Sequence, residues 1–338
     1  MSVYDLVIVG AGPAGLAASI AAKGHGLRHV VLEKGTVVNT ILHYPLNMVF
    51  FTTPELLEIG NLPFVTPYDK PTRIEALRYY RRVVETFDLP LEMGQTVTSV
   101  IREDDHFVVA TTTEAGEQRW PARTVVIATG AYDLANRMDI PGEDLPHVSH
   151  YYTEAHPYFR KNVVVVGGAN STADAALEMY RAGVKVTIVH RGEDWHKGLK
   201  YWVRPDLENR IKDGAIAARM KSRVTRITHK TVEIVRGDGT EESLPADAVF
   251  LLTGYHSDTT LLAHAGVAFD PVELAPTFDP QTFETNVPGV FVIGNVTTGR
   301  QTNRIFIENG RFHGKTVADV IASRLARQAL AATDTVHG

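Results

Sequence analysis

The stretch Val163–Glu178, "VVVVGGANSTADAALE", decides the fold. Four consecutive valines read as a strand buried on both faces. Gly167 and Gly168 read as a tight turn, and the alanine-rich run after them as a helix. Such a turn leaves the first N–H groups and the positive dipole end of the helix facing an anion, which is how a chain grips a pyrophosphate. The chain opens on a second unit of the same kind, "YDLVIVGAGPAGLAASIAA" (Tyr4–Ala22).

In that first unit Gly10, Gly12 and Gly15 keep the Rossmann spacing, with Pro13 and Ala14 between them. Gly10 permits the turn, Gly12 lets phosphate approach the backbone, and Gly15 lets helix and strand pack closely. Glu33, 23 residues after Gly10, ends the next strand, where a carboxylate accepts hydrogen bonds from a ribose. The second unit departs from the fingerprint. Ala169 and Thr172 stand where glycines are usual, and 23 residues after Gly167 come His190 and Arg191.

A carboxylate at that place favours a free 2′-hydroxyl. A guanidinium pairs with a 2′-phosphate through two parallel bonds. The first site is therefore expected to take the AMP half of a dinucleotide such as FAD, and the second NADPH rather than NADH. Gly167, Gly168, Asn170, Ser171, His190, Arg191, Lys197 and Gly254 are the residues expected around NADPH, with Lys200 as a further phosphate candidate. A solvated strand end is the plain alternative for His190 and Arg191.

The two units share more than their turns. "TVVIATG" (Thr124–Gly130) and "AVFLLTG" (Ala248–Gly254) are the same strand ending, each following a predicted hairpin, so the chain carries an internal duplication. The final strand "VPGVFVIGNVTTG" (Val287–Gly299) and a helix over Asn309–Leu325 are too little for a domain and are expected to return to the first unit. The predicted fold is α/β, with two Rossmann-like, three-layer ββα dinucleotide-binding domains. The NADPH domain, 136–255, is inserted in an FAD domain made of 1–135 and 256–338.

The 338 residues suit two domains. Hydrophobic residues make up 44%, charged residues 22%, and the net charge is −5, so nothing global points to nucleic acid or an anionic membrane. No run of about 20 apolar residues predicts a membrane helix. No cysteine is present, which removes disulfides, thiolate metal ligands and thiol nucleophiles together and fits a cytoplasmic protein. The histidines and acids lack metal-ligand spacing.

With "VIVGAGPAGL", "VVLEK", "IATGA", "VVVVGGANSTADAALE", "VTIVHR", "LTGY" and "VFVIGN" in order, nearly the whole chain resembles the low-molecular-weight thioredoxin reductase family of flavoproteins. "YPLNMVFFTTPELLEIG" (Tyr44–Gly60), "HYYTEAHPYF" (His150–Phe159) and "FIENGRFHGK" (Phe306–Lys315) resemble its bacillithiol disulfide reductase-like branch, itself similar to ferredoxin–NADP reductases of this type. The resemblance implies FAD in the outer domain, NADPH in the inner one and a homodimer. It also implies FAD contacts at Lys34, Thr40, Tyr44, Val97, Thr129, Gly130, Asn295, Thr302, Ile305 and Phe306. The family usually has Asp where this chain has Asn295.

A thioredoxin reductase of this family carries Cys-x-x-Cys, which alignment places near His150–Thr153; here the stretch reads "SHYYTEAH". Ala14 stands where some members of the branch carry a cysteine. Thiol–disulfide exchange needs a protein thiolate, so electrons are expected to pass straight from reduced flavin to the acceptor. The leading acceptor is a low-molecular-weight disulfide such as bacillithiol disulfide. A ferredoxin- or flavodoxin-like carrier, and a redox sensor without turnover, are the alternatives. Arg300, Arg304, Arg311 and Lys315 meet an anionic acceptor or form a solvated helix face. A helix start at Thr302–Phe306 is expected to stabilise charge on reduced flavin. His313 and His156, with His150, are candidates to protonate a leaving thiolate, or else hydrogen-bonding core residues. Tyr44 and Tyr132 are candidates to pack on the isoalloxazine.

Overall fold

A computed structural model of the chain describes residues 3–336. Two compact units emerge. One contains the residues up to His43, Met48–Leu134 and those from Tyr255 on; the other contains Tyr44–Asn47 and Ala135–Gly254.

The first unit is built on a parallel sheet whose strands lie in the order Leu91–Met93, His29–Glu33, Tyr4–Val9, Gly116–Ile127 and Val290–Val292. Val7, Val9, Val30, Leu32, Val125, Ile127, Val290 and Val292 form its core together with Val100, Phe107 and Val109 of an antiparallel layer. The sequence predicts two strands after the turn at Glu114–Gly116; they are one. Gly116–Ile127 runs antiparallel to His106–Thr113 through Pro121, opposite Val108, and joins Tyr4–Val9 in parallel from Ala122 on. Pro121, which has no N–H to donate, falls where the strand changes partners.

In the second unit the same junction is interrupted. Glu241–Pro245 closes a separate antiparallel sheet with Ser222–Ile227 and Thr231–Arg236, and Ala248–Leu251 begins anew. Its parallel sheet runs Ala217–Arg219, Lys185–Val189, Asn162–Val166, Ala248–Leu251, Val148–Ser149. The four valines are explained by the layers on either side. Val163 and Val165 face a helical core with Ala173, Leu177 and Leu207. Val164 and Val166 face Val224, Val232, Ile234 and Leu244 of the antiparallel sheet. A strand covered on both faces has no polar positions to alternate with.

Both sheets have the same order, but their fifth strands come from opposite ends: Val290–Val292 from the end of the chain, Val148–Ser149 from the entry into the second unit. The expected helix Asn309–Leu325 is two helices, Ile307–Gly310 and His313–Val336. The longer one crosses the helix Pro13–Gly24 so closely that a Cβ on Gly314 would lie 2.4 Å from the Ala18 nitrogen. Among the described residues no helix is long and apolar enough to cross a membrane.

Tyr44–Asn47 departs from the boundary expected at 135. Leu46 N donates to Thr153 O at 2.8 Å, and Asn47 Nδ2 donates to Glu178 Oε1 at 2.9 Å, so this segment belongs to the second unit.

Under the first sheet, His29 Nδ1 donates to Leu27 O at 2.9 Å, which leaves Nε2 to accept from Ser19 Oγ at 2.8 Å. Burial holds the ring neutral by lowering its pKa. Its contribution to stability is complete above the ordinary imidazole value of about 6.5. It is lost as pH falls through the depressed folded value. The melting temperature is therefore expected to fall on acidification below about pH 6.5, and less steeply in a His29→Asn variant; equal slopes would clear His29 of this role. A second test concerns Gly15, where a Cβ would meet Gly10 O at 2.0 Å. Gly15→Ala should destabilise the first unit by roughly 2–3 kcal/mol, or about 5–10 °C in a thermal scan.

Candidate dinucleotide sites

Two glycine turns carry the chemistry. At the first, Gly10 has φ 110°, and a Cβ there would lie 2.6 Å from Ala128 O. Gly12 is the N-cap of the helix Pro13–Gly24, and no side chain caps it. The space a Cβ would fill on Gly12 is open. Pro13 has no N–H, and the first bond within the helix runs from Leu16 N to Gly12 O. The N–H groups of Ala14 and Gly15 are thus left to an anion. This is a cradle that fits a pyrophosphate.

Glu33 is held beside that cradle. It is buried, and its oxygens accept from Ala11 N and Gly35 N, each at 2.8 Å. Each oxygen retains a lone pair for a ribose hydroxyl. Val38, which the sequence reading passed over, sits at φ 48°, rare for a β-branched residue. Its N–H donates to Ala11 O at 3.0 Å and seats the short helix Asn39–Leu42, with Thr40, against the turn. No local sequence signal announces a strained valine.

The other residues expected at this site divide. Thr129 and the open-faced Gly130 follow the strand at the turn, and Ala14 faces Gly294, whose Cβ would lie 2.9 Å from that of Ala14. Val97 packs half-buried on the core of the first unit. Lys34 is ion-paired with Asp133. Asn295 is engaged locally: Oδ1 accepts from Thr298 Oγ1 at 2.7 Å and Nδ2 donates to Thr302 O at 3.3 Å. Ile305 packs on Gly310, and Phe306 meets Phe51 edge-on at 5.9 Å. Tyr132 lies against Tyr255, with ring centres 4.5 Å apart, whereas Tyr44 belongs to the second unit.

The structure adds detail to three expectations. The helix start expected at Thr302–Phe306 is N-capped by Phe306, whose N–H donates to Asn309 Oδ1 at 2.8 Å, and the helix, Ile307–Gly310, is short. The four cations do not form one acceptor patch. Arg311 donates to Glu55 O and Glu58 O, Arg300 to Val272 O, and Lys315 to Asp319, while Arg304 is exposed. His313 has a structural job. It stacks on Phe283 at 4.2 Å, its Nδ1 accepts from Gly294 N at 3.2 Å, and burial lowers its pKa. His156 is exposed in the second unit, where His150 lies 3.2 Å from the buried Glu143.

At the second turn, a Cβ on Gly167 would lie 2.2 Å from Thr172 Oγ1 and 2.6 Å from Leu252 O. Ala169 caps the helix Asn170–Arg181 without a side-chain bond. Thr172, buried beside the turn, has a hydroxyl with no partner among the described residues. An uncapped helix start fits an anion. Ser171 lies exposed at the same helix start.

Gly168 also makes room for a side chain of its own unit. A Cβ there would meet the His190 ring at 2.1 Å, and one on Gly192 would meet it at 2.6 Å. The imidazole lies in a slot between two glycines, stacked on Trp195 at 5.8 Å, with Nε2 donating to Asp194 O at 3.1 Å. Arg191 stays exposed. The carboxylates that follow it in the chain are taken: Glu193 by Lys221 at 2.6 Å and Asp194 by Arg204 at 2.7 Å. Asn170 spends its amide on residues 198–200, Lys200 pairs with Asp174, and Lys197 is exposed. Gly254 packs on Asn136, 3.1 Å from where its Cβ would be, where the chain enters and leaves the unit.

Comparison with known proteins agrees with this geometry. The chain is 43% identical over 319 residues to the bacilliredoxin reductase of Bacillus subtilis, covering 94% of this chain and 97% of that one. The structure of the bacillithiol disulfide reductase of Bacillus cereus superposes with a TM-score of 0.93 at 40% identity, over 96% of this chain and all of that one. A ferredoxin–NADP reductase of Ignicoccus hospitalis is 28% identical over 300 residues, 87% of this chain and 90% of that one. Residues 7–294 match the family described as pyridine nucleotide-disulphide oxidoreductase, so two glycine turns on two parallel sheets are what this chain has as a member of that family.

Proposed function

We propose that this chain is an FAD-dependent reductase that takes electrons from NADPH and delivers them to a low-molecular-weight disulfide of the bacillithiol type. One observation carries the reading: two glycine turns with uncapped helix starts, in a chain with no cysteine. Two such turns call for two nucleotides, and the cofactors are FAD and NADPH. Glu33 suits the free ribose of FAD in the first unit. Arg191 suits the 2′-phosphate of NADPH in the second, since Glu193 and Asp194, which follow it in the chain, are paired with other cations. Likeness to the Bacillus reductases supports the disulfide as acceptor.

The bound cofactors supply the two-electron chemistry, and the protein supplies placement and field. Ala14 and Gly15 would hold one phosphate bridge by their amides, and the start of the helix Asn170–Arg181 would hold the other. Glu33 would fix a ribose with a carboxylate that two backbone amides keep in place. With no thiolate in the chain, no mixed disulfide with the protein forms, and the substrate sulfurs receive their electrons without a protein relay. A homodimer in the cytoplasm belongs to the same proposal. An acidic carrier protein is the competing acceptor, favoured by likeness to ferredoxin–NADP reductases. Against it, Arg300, Arg311 and Lys315 are bound to the protein's own oxygens.

Anaerobic mixing with NADPH should bleach the flavin, and NADPH oxidation should rise above the oxygen background when bacillithiol disulfide is added. No rise with the disulfide, but cytochrome reduction through added ferredoxin, would move the assignment to the carrier. A flavin that NADPH leaves yellow would make the protein a sensor. Arg191→Ala should raise the KM for NADPH about 10- to 100-fold, the loss of one charge-assisted pairing. The KM for NADH should stay as it was; an equal rise for both would refute the 2′-phosphate assignment.

A further inference from the structure

Residues 192–200 run from the strand Lys185–Val189 toward the helix Arg204–Lys212 and lie along the second glycine turn. Two side chains, Trp195 and Leu199, are buried in the helical core and anchor this strap. Its polar attachments converge on the turn. His196 N donates to Gly168 O at 2.9 Å. Asn170 Nδ2 donates to Gly198 O at 3.0 Å, and Asn170 Oδ1 accepts from Lys200 N at 2.9 Å. Between the anchors, Lys197 is exposed.

Asn170 is the first residue of the helix Asn170–Arg181, a place where a side chain ordinarily looks toward the anion. Both atoms of its amide are instead committed to the strap. Satisfying one carbonyl and one amide at once takes a short carboxamide; an aspartate accepts only, and an alanine does neither.

We propose that Asn170 is a positioning residue for the nucleotide of the second unit, acting through the strap and not as a phosphate ligand. It holds 196–200, with Lys197, beside the turn before the nucleotide arrives. A segment ordered in advance loses no freedom on binding, and that raises affinity without a new contact. The proposal rests on the reading that this unit takes NADPH.

Lys197 and Lys200 make the strap visible to trypsin. Asn170→Ala should be cleaved after these lysines about tenfold faster than the unaltered protein, and NADPH should slow the cleavage in both. Its KM for NADPH should rise about tenfold, the size of one or two lost hydrogen bonds, with kcat at saturating NADPH retained. Asn170→Asp, which keeps the acceptor for Lys200 N, should be cut at an intermediate rate. An unchanged far-ultraviolet circular dichroism spectrum and thermal transition report that the variants are folded. In the unaltered protein the Lys200 amide should exchange its hydrogen slowly; fast exchange there overturns the proposal whatever the variants do. A higher KM with no faster cleavage would make Asn170 a direct ligand and overturn it too, as would faster cleavage with an unchanged KM. Failure of the NADPH reading shows separately, as unaltered protein that oxidises no NADPH and whose strap NADPH does not protect.

Discussion

The close passage of a glycine over a neighbouring strand's carbonyl governs both halves of this molecule. A Cβ on Gly10 would lie 2.6 Å from Ala128 O, and one on Gly167 would lie 2.6 Å from Leu252 O. Ala128 and Leu252 occupy the same place in "IATG" and "LLTG". The turn and the end of the adjacent strand are therefore one device used twice. With any side chain at either glycine the turn must lift from the sheet, and the helix start would no longer face its phosphate. Backbone proximity at this point explains why the strand endings repeat while the hairpins preceding them differ in construction.

From that shared device the two sites diverge at the next strand. Glu33 turns back to the backbone amides of Ala11 and Gly35. His190 turns back to the glycines on either side of it and leaves Arg191 outside. In both cases the residue at the strand end is fixed by its own turn. A carboxylate is fixed at one strand end and a guanidinium is exposed at the other, which is the contrast on which the proposed choice of FAD and NADPH rests.

Periodicity and turn chemistry made the sheets and the glycine turns legible in the sequence, along with the acidic end of one following strand at Glu33 and the basic end of the other at Arg191. What stayed hidden depends on residues far apart in the chain. Nothing local shows that Asn47 meets Glu178, so Tyr44 was assigned to the wrong unit. Nothing near Gly168 in the chain shows that the His190 ring lies against it. Arg311 reads as a solvated charge, but its guanidinium reaches carbonyls at Glu55 and Glu58, more than 250 positions away. The helix Arg204–Lys212 had a signal in Pro205 at its start, but its interior is too polar for an apolar stripe to stand out.

Asn295 shows how a departure from a family pattern is absorbed. Its Oδ1 accepts from Thr298 Oγ1, and its Nδ2 donates to Thr302 O at 3.3 Å. An aspartate would keep the first bond and set two oxygens against each other at the second. The 295–302 loop would then have to open, or a proton would have to remain on the carboxyl. The amide does both jobs uncharged, so the loop that ends the sheet strand Val290–Val292 closes on itself with its polar groups met. In this chain the usual carboxylate gives way to a group that first stabilises its own loop. Charge near the first nucleotide site then rests with Glu33, which sits on the opposite side of Tyr4–Val9 in the sheet order from Val290–Val292.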